Sequence, residues 1–454
     1  MNKKNLALVA YFIVVLGLFS SCSRKPVRLN PKQPLTVTLW HNYDGQMQRS
    51  MNELIDEFNM TIGRDEGVII SVTAVAAMED QEEQLSMITA GVPGAERMPD
   101  IFTAYPRTAA HLAEENLIVS LDDDLFSSAE LALYVPQFIE EGRLSDGKLY
   151  VFPIAKSGEI LIVNQTLFGR FSAATGISVD SLSTFEGIAE AAVLYFEWTD
   201  SLTPDVANDG KAFFKADSWA NIALVGMEQM GETFVSPEKL STDLPQYERI
   251  WQFLVPQACS GAYAVIDGYS SELSLTGDIV CSTVSTAAIA FYGNTITYPD
   301  NTSEKAEYTI LPYPIFKDAK KIALQRGAGM VIAKSKPEKE YAAALFIKWL
   351  SSPAQNMRFI TSTGYWPVSI EAYDSSSSLV HQETNPNIRG VRETTQLMKT
   401  EYTFITAPNF EGYDEIFKEY ENNLKTAMWE GRLRVLNGET VQDVSMSLFE
   451  NFAD

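Results

Sequence analysis

The chain has 454 residues, a formal net charge of −24 and an apolar fraction of 46%. Acid spread along the sequence works against nucleic acid and other polyanions as partners and favours a neutral or weakly charged ligand. The apolar content suits large packed cores, and three cysteines are too few for a disulfide framework.

Lys3 and Lys4, an apolar run of 14 residues over 6–19, and Ser20-Ser21 before Cys22 have the order of a secretory signal. The run is shorter than the roughly 20 residues that a spanning helix needs. Residues 1–21 are therefore expected to be a signal peptide. The Ser20-Ser21-Cys22 step resembles a bacterial lipobox, which makes Cys22 the expected lipidation site and membrane anchor; because Phe19 holds the usual leucine position, cleavage without lipid stays open. Residues 22–34, with Arg24, Lys25, Arg28 and Lys32 among three prolines, read as an extended tether.

From Leu35 to Trp40 apolar and polar side chains alternate as in a strand, and Met47, Met51, Leu54, Ile55 and Phe58 then recur at helical spacing. A β-branched strand over 68–75, a helix over 84–90 and a strand over 100–105 continue a pattern of parallel βαβ units. Ligands of open α/β sheets bind outside the C-terminal ends of the strands, which aims the 41–46 loop and Tyr105-Pro106 at one cleft. The apolar 151–154 and 160–163 segments flank polar Lys156-Ser157-Gly158-Glu159, as in a strand that crosses between lobes.

Helical patterns follow at 185–196 and 219–230, and strand-like segments at 279–281 and 308–311. Pro337 opens a helix through Leu350, Pro353 starts another, and Gly364 ends it. The apolar faces of 416–428 and 441–452 predict two C-terminal helices, and residues 374–387 read as an exposed loop. Cys259 and Cys281 are either a disulfide or two buried thiols.

No G-x-S-x-G, H-E-x-x-H, C-x-x-C or G-x-x-x-x-G-K-[ST] occurs, and His41, His111 and His381 have no metal-binding spacing. No catalytic residue, metal or cofactor is expected. An exported glycoside hydrolase or a surface adhesin on the same fold are the remaining readings.

Several segments together resemble the extracellular solute-binding proteins of ABC importers, in the group of maltose-type and glycerol-phosphate-type receptors. They are Val37-Thr-Leu-Trp-His-Asn-Tyr-Asp-Gly45, Met98-Pro-Asp-Ile101, Gly147-Lys-Leu-Tyr-Val-Phe-Pro153, Ala287-Ala-Ile-Ala-Phe-Tyr-Gly-Asn294, Gly327-Ala-Gly-Met-Val-Ile332 and Gly364-Tyr-Trp-Pro-Val368. The resemblance implies an α/β, two-lobed periplasmic-binding-protein-like fold with the ligand in a cleft between lobes joined by hinge crossings. It places 35–156 and 314–336 in lobe 1 and 157–313 and 337–454 in lobe 2, with crossings near Lys156, Tyr313 and Lys336. It also implies permease subunits as partners, a monomer, and an extracytoplasmic location.

A sugar presents apolar faces and a rim of hydroxyls, so its receptor needs flat aromatics and polar groups. Trp40, His41, Asn42 and Asp44 are candidates in the first loop, against a core Trp40 and an Asp44 that caps the next helix. Tyr105, Ser157, Glu159, Trp219, Ser285, Tyr292 and Asn294 follow, with Glu159 alternatively paired to Lys156. Tyr365 and Trp366 are the expected stacking platform, and Gly327 offers close backbone approach. A carbohydrate is the expected ligand. A glycerol-phosphate or polyol-phosphate ligand is the alternative: Arg326 is a phosphate candidate, but Phe417 stands in the C-terminal helix where such relatives carry an arginine.

Overall fold

The computed structural model describes residues 27–75, 78–361, 363–376, 383, 385–410 and 412–452. The signal peptide, Cys22, the first part of the tether and His381 lie outside the described residues.

Strand β1 (Leu35–His41) is followed by helix α1 (Gly45–Met60), β2 (Val68–Ala74), α2 (Met78–Thr89), β3 (Ile101–Ala104), α3 (Pro106–Glu114), α4 (Pro136–Glu141) and β4 (Phe152–Pro153). Then come β5 (Ser157–Asn164), β6 (Phe214–Ala216), α5 (Trp219–Gln229), α6 (Pro245–Ser260), β7 (Cys281–Ser285) and β8 (Tyr308–Pro312). The chain ends with β9 (Ile322–Arg326), β10 (Gly329–Ile332), α7 (Pro337–Leu350), α8 (Pro353–Thr361), α9 (Pro386–Glu401), β11 (Thr403–Ile405), α10 (Tyr413–Leu436) and α11 (Val441–Phe452).

Two sheets organise these elements. The first has the order β2-β1-β3-β10-β4, with β1 parallel to β2 and β3 and with β10 antiparallel. The second has the order β11-β9-β5-β7-β6, and β8 pairs with β5. Each sheet has its own core. Phe58, Phe152, Met330, Phe346 and Phe359 are buried in the first, and Phe171, Phe185, Trp251, Tyr313 and Leu424 in the second.

The helical spacing in α1 becomes its buried face: Met47, Met51, Leu54, Ile55 and Phe58 all point inward, and the Asp44 carboxylate accepts from the Gly45 N–H at 2.6 Å. Helix α5 is buried nearly all round. Its first turn is capped twice, by Ser218 Oγ accepting from the Asn221 N–H and by the Glu421 carboxylate of α10 accepting from the N–H groups of Trp219 and Ala220. A carboxylate there satisfies orphan donors and meets the positive end of the helix dipole.

The chain crosses between the sheets in places that differ in part from expectation. Residues 154–156 link β4 to β5, and only Gly327 and Ala328 separate β9 in the second sheet from β10 in the first. The third passage lies between Val368 in the first core and Val391 in the second. Tyr313 is not a crossing, since it is buried in the second core between β8 and β9. Lys336 is not one either, because α7 packs on β1 and β10 and buries Ala342, Phe346 and Ile347 in the first core. Sheet membership is decided by long-range pairing, which the apolar pattern on either side of a crossing does not carry.

Helix α2 starts six residues earlier than its periodicity suggests, α6 was not foreseen because Pro256 interrupts its pattern, and α9 begins inside the expected loop. Cys259 and Cys281 are both buried free thiols. Among the described residues no helix is long and apolar enough to cross a membrane.

Candidate ligand-binding cleft

The C-terminal ends of the parallel strands β1 and β3 face the start of β5 and the ends of β7 and β9 across a continuous cleft. It has an inner cavity of about 200 Å³ and an outer one of about 950 Å³. Asn42, Tyr105, Tyr269, Phe291 and Arg326 line both. Side chains from both halves of the molecule therefore wall one space. Phe291 also comes within contact range of Gly45, at 3.5 Å from where a Cβ would stand.

The first loop delivers two of its four candidates. Asn42 lines the cleft and accepts from Thr103 Oγ1 at 3.2 Å, and Asp44 lines the outer part while capping α1. Trp40 does not reach the cleft: it lies 5% exposed in a core with Phe102 and Val75, because its position on β1 points to the covered face. His41 is also fully buried, its Nδ1 accepting from the Tyr43 N–H at 3.2 Å. Tyr43, between Asn42 and Asp44 in sequence, turns into the inner cavity with its ring edge-on to Tyr365.

Burial holds the His41 imidazole down, to about 4 against an ordinary 6.5. The unfolded chain takes up this proton near 6.5 and the folded chain only near 4, so the unfolded state binds more protons in between. Stability is expected to fall by up to about 3 kcal/mol as pH drops through that window and to level off below it. The difference in unfolding midpoint between wild type and His41→Asn, followed from pH 7 to pH 4, isolates this contribution. An unchanged difference across the window contradicts it.

Ser157 and Ser285 meet at the floor, Ser285 Oγ donating to Ser157 Oγ at 3.0 Å across the paired strands β5 and β7. Glu159 sits behind them. It is 4% exposed, accepts from Asn221 Nδ2 at 2.7 Å and lies 3.5 Å from Arg326 Nη1. Burial pushes its carboxyl up. Glu159 therefore supports Arg326 rather than lining the cavity, and it does not pair with Lys156. That lysine instead binds Glu141 at 2.8 Å and the Gly327 carbonyl at 2.7 Å.

Of the expected aromatics, Tyr105, Tyr292 and Tyr365 line the inner cavity. The Tyr365 ring is stacked on Phe359 at 5.9 Å, and Arg107 lies 4.4 Å over the Tyr105 ring. The Tyr292 hydroxyl shares a hydrogen bond with Ser282 Oγ at 2.7 Å. Trp219 and Trp366 are structural instead. Trp219 is stacked on Tyr263 in the second core, and Trp366 covers Gly158, where a Cβ would stand 2.3 Å from its ring. The Trp366 indole N–H donates to Thr395 Oγ1. Asn294 is exposed and lines neither cavity. Gly327 lines the inner cavity with φ +107°, and a Cβ there would meet the Ala155 carbonyl at 2.8 Å.

Asp217, Tyr269, Ser271, Met47 and Met78 also line the inner cavity and were not anticipated. Asp217 precedes the Ser218 cap of α5, and Tyr269 lies in an irregular segment. Neither position has a periodic signal.

The family profile of bacterial extracellular solute-binding proteins matches residues 53–386. The chain belongs to this family. This solute-binding protein also has the fold of solved structures at low identity. The cyclic alpha-maltosyl-1,6-maltose binding protein of Arthrobacter globiformis is 17% identical over 92% of this chain and 98% of its own, with a TM-score of 0.65. UgpB of Mycobacterium tuberculosis, solved with glycerophosphocholine, is 20% identical over 92% and 97%, with a TM-score of 0.66. The substrate-binding protein Lmo0181 of Listeria monocytogenes, solved with cycloalternan, is 16% identical over 92% and 98%, with a TM-score of 0.67. No curated protein matches the chain. These likenesses describe the two-lobed α/β fold with a cleft between lobes. The family places the protein outside the cytoplasm.

Proposed function

We propose that this solute-binding protein captures a carbohydrate, by closure of its lobes, for the permease of an ABC importer. The observation that carries the reading is the composition of the inner cavity. Tyr105, Tyr269, Phe291 and Tyr365 supply flat apolar rings, while Asn42, Ser157, Ser285 and Asp217 supply hydroxyl-reading groups between them. Aromatic faces for C–H surfaces and charged or amide oxygens for a hydroxyl rim are the complement of a pyranose ring. The outer cavity, within the roughly 300–1,000 Å³ range of small-molecule sites, leaves room for further sugar units. Structural likeness to a protein named for binding cyclic alpha-maltosyl-1,6-maltose and to one solved with cycloalternan supports the same ligand class.

A glycerol-phosphate ligand is the second reading, favoured by Arg326 in the wall and by the likeness to UgpB. Against it, Phe417 lines the outer cavity where that reading calls for a cation. Cys22 is read as the lipid anchor and residues 22–34 as the tether that spaces the lobes from the membrane. Retention of a Cys22→Ser variant in the membrane fraction would remove that element of the account.

A thermal-shift screen with neutral oligosaccharides tests the main reading. A ligand at 100 times its Kd is expected to stabilise the folded protein by about 2.7 kcal/mol and to be recovered unchanged. Turnover of the sugar, or no shift across mono- to hexasaccharides of glucose, galactose, mannose and xylose, contradicts it.

A further inference from the structure

Arg326 stands at the end of β9, where the inner and outer cavities meet, and lines both. The other arginines of the cleft are committed. Arg107 is paired with Asp414, and Arg143 with Asp122 at 2.5 Å and Glu140 at 3.1 Å. Arg326 has only Glu159, at 3.5 Å, and its guanidinium donates no hydrogen bond among the described residues. A guanidinium has five N–H donors in a planar fork, and donors taken out of water without partners are costly. Its side chain is 32% exposed to the cleft, so water serves these donors in the free protein, and a ligand that displaces this water has to offer oxygen acceptors in its place.

Asp217 offers the opposite polarity from another wall. One carboxylate oxygen accepts from Ser270 Oγ at 2.5 Å and from the Ser270 N–H at 3.4 Å, which fixes its direction; the other has no partner among the described residues. No ion pair joins Asp217 to Arg326, although both line the inner cavity. A ring with adjacent hydroxyls held between them would accept from Arg326 and donate to Asp217.

The charge balance decides which ring. Asp44, Asp217 and Glu272 line the cleft with no ion pair among the described residues, whereas Glu140, Glu141 and Asp414 are paired with Arg143, Lys156 and Arg107. Glu159 lies directly behind Arg326 and offsets its charge. A carboxylate or phosphate on the ligand would meet Asp217 in the inner cavity and the unpaired Asp44 and Glu272 in the outer one. Resting on the carbohydrate reading above, we propose that Arg326 and Asp217 are specificity-determining residues that together select a neutral polyhydroxylated ring and exclude uronates and phosphorylated polyols.

The test is isothermal titration of wild type, Arg326→Gln, Arg326→Lys and Asp217→Asn with maltotriose, cellotriose, xylotriose, trigalacturonate and glycerol 3-phosphate. Wild type is expected to bind at least one neutral trisaccharide and neither anion. Arg326→Gln and Asp217→Asn should each weaken that binding by about 10- to 100-fold. Arg326→Lys, which keeps the charge and loses the fork, should also weaken it. Asp217→Asn should admit trigalacturonate measurably. Matching unfolding midpoints establish that each variant is folded. Neutral binding unaffected by all three variants overturns the inference and leaves the carbohydrate reading standing. A wild-type preference for trigalacturonate or glycerol 3-phosphate overturns it as well. Failure of wild type to bind any of the five probes overturns the carbohydrate reading and the inference with it.

Discussion

Replacing Lys156 with methionine is expected to cost about 3–5 kcal/mol of stability, the penalty for leaving a buried carboxylate without its partner. Lys156 and Glu141 are 4% and 9% exposed at the side chain and lie 2.8 Å apart. At 9% side-chain exposure Glu141 regains little water once the ammonium is gone, and its remaining partner, Gln325, is neutral. The same lysine holds the crossings together. Its ammonium donates to the Gly327 carbonyl at 2.7 Å, and its backbone exchanges hydrogen bonds with Trp366 at 3.1 and 2.5 Å. Guanidinium unfolding of Lys156→Met, Glu141→Leu and the double variant measures the effect. The double variant should regain much of the loss, since removing both charges also removes their desolvation cost. Equal stability of Lys156→Met and wild type would show that the pair does not hold the crossings.

Tyr365→Ala is expected to weaken oligosaccharide binding by about 30-fold, the loss of roughly 2 kcal/mol that accompanies truncation of a central aromatic anchor. The ring lines the inner cavity with its position set by stacking on Phe359 and by the Tyr43 edge, so it is pre-organised before a ligand arrives. Tyr365→Phe keeps that face and should bind within a few-fold of wild type. Trp366→Ala should act differently. Trp366 is buried over Gly158 and bonded to Thr395, so its loss lowers the unfolding midpoint. Titration calorimetry and thermal unfolding of the three variants separate the two roles, and equal affinity in Tyr365→Ala would remove Tyr365 from the site.

The neighbouring aromatics Tyr365 and Trp366 also show what the sequence carried and what it did not. The Gly364-Tyr365-Trp366 motif pointed to the right loop, but consecutive side chains in extended backbone diverge, and only the fold reveals which faces the cleft. Trp40 behaves likewise: its strand was legible from alternation, while the covered face to which it belongs depends on Leu85 of α2 and on Ala109 and Leu112 of α3, which share its core. Periodicity was sufficient for β1, α1 and α7, where an apolar face repeats over several turns. It was insufficient at β9 and β10, where Gly327-Ala328 moves the chain from one sheet to the other within two residues. Arg326 was visible in the sequence as a lone cation beside a glycine, yet its role depends on Glu159 and Asp217, which are 167 and 109 positions away. Asp217 itself, in a short polar stretch, had no pattern to mark it.

The most direct test of the account is a crystal structure of the protein with the oligosaccharide that stabilises it most. A sugar ring in the inner cavity, with its face on Tyr365 or Tyr105 and its hydroxyls on Arg326 and Asp217, is the predicted result. A ligand bound outside the cleft, or cleaved within it, would contradict the account.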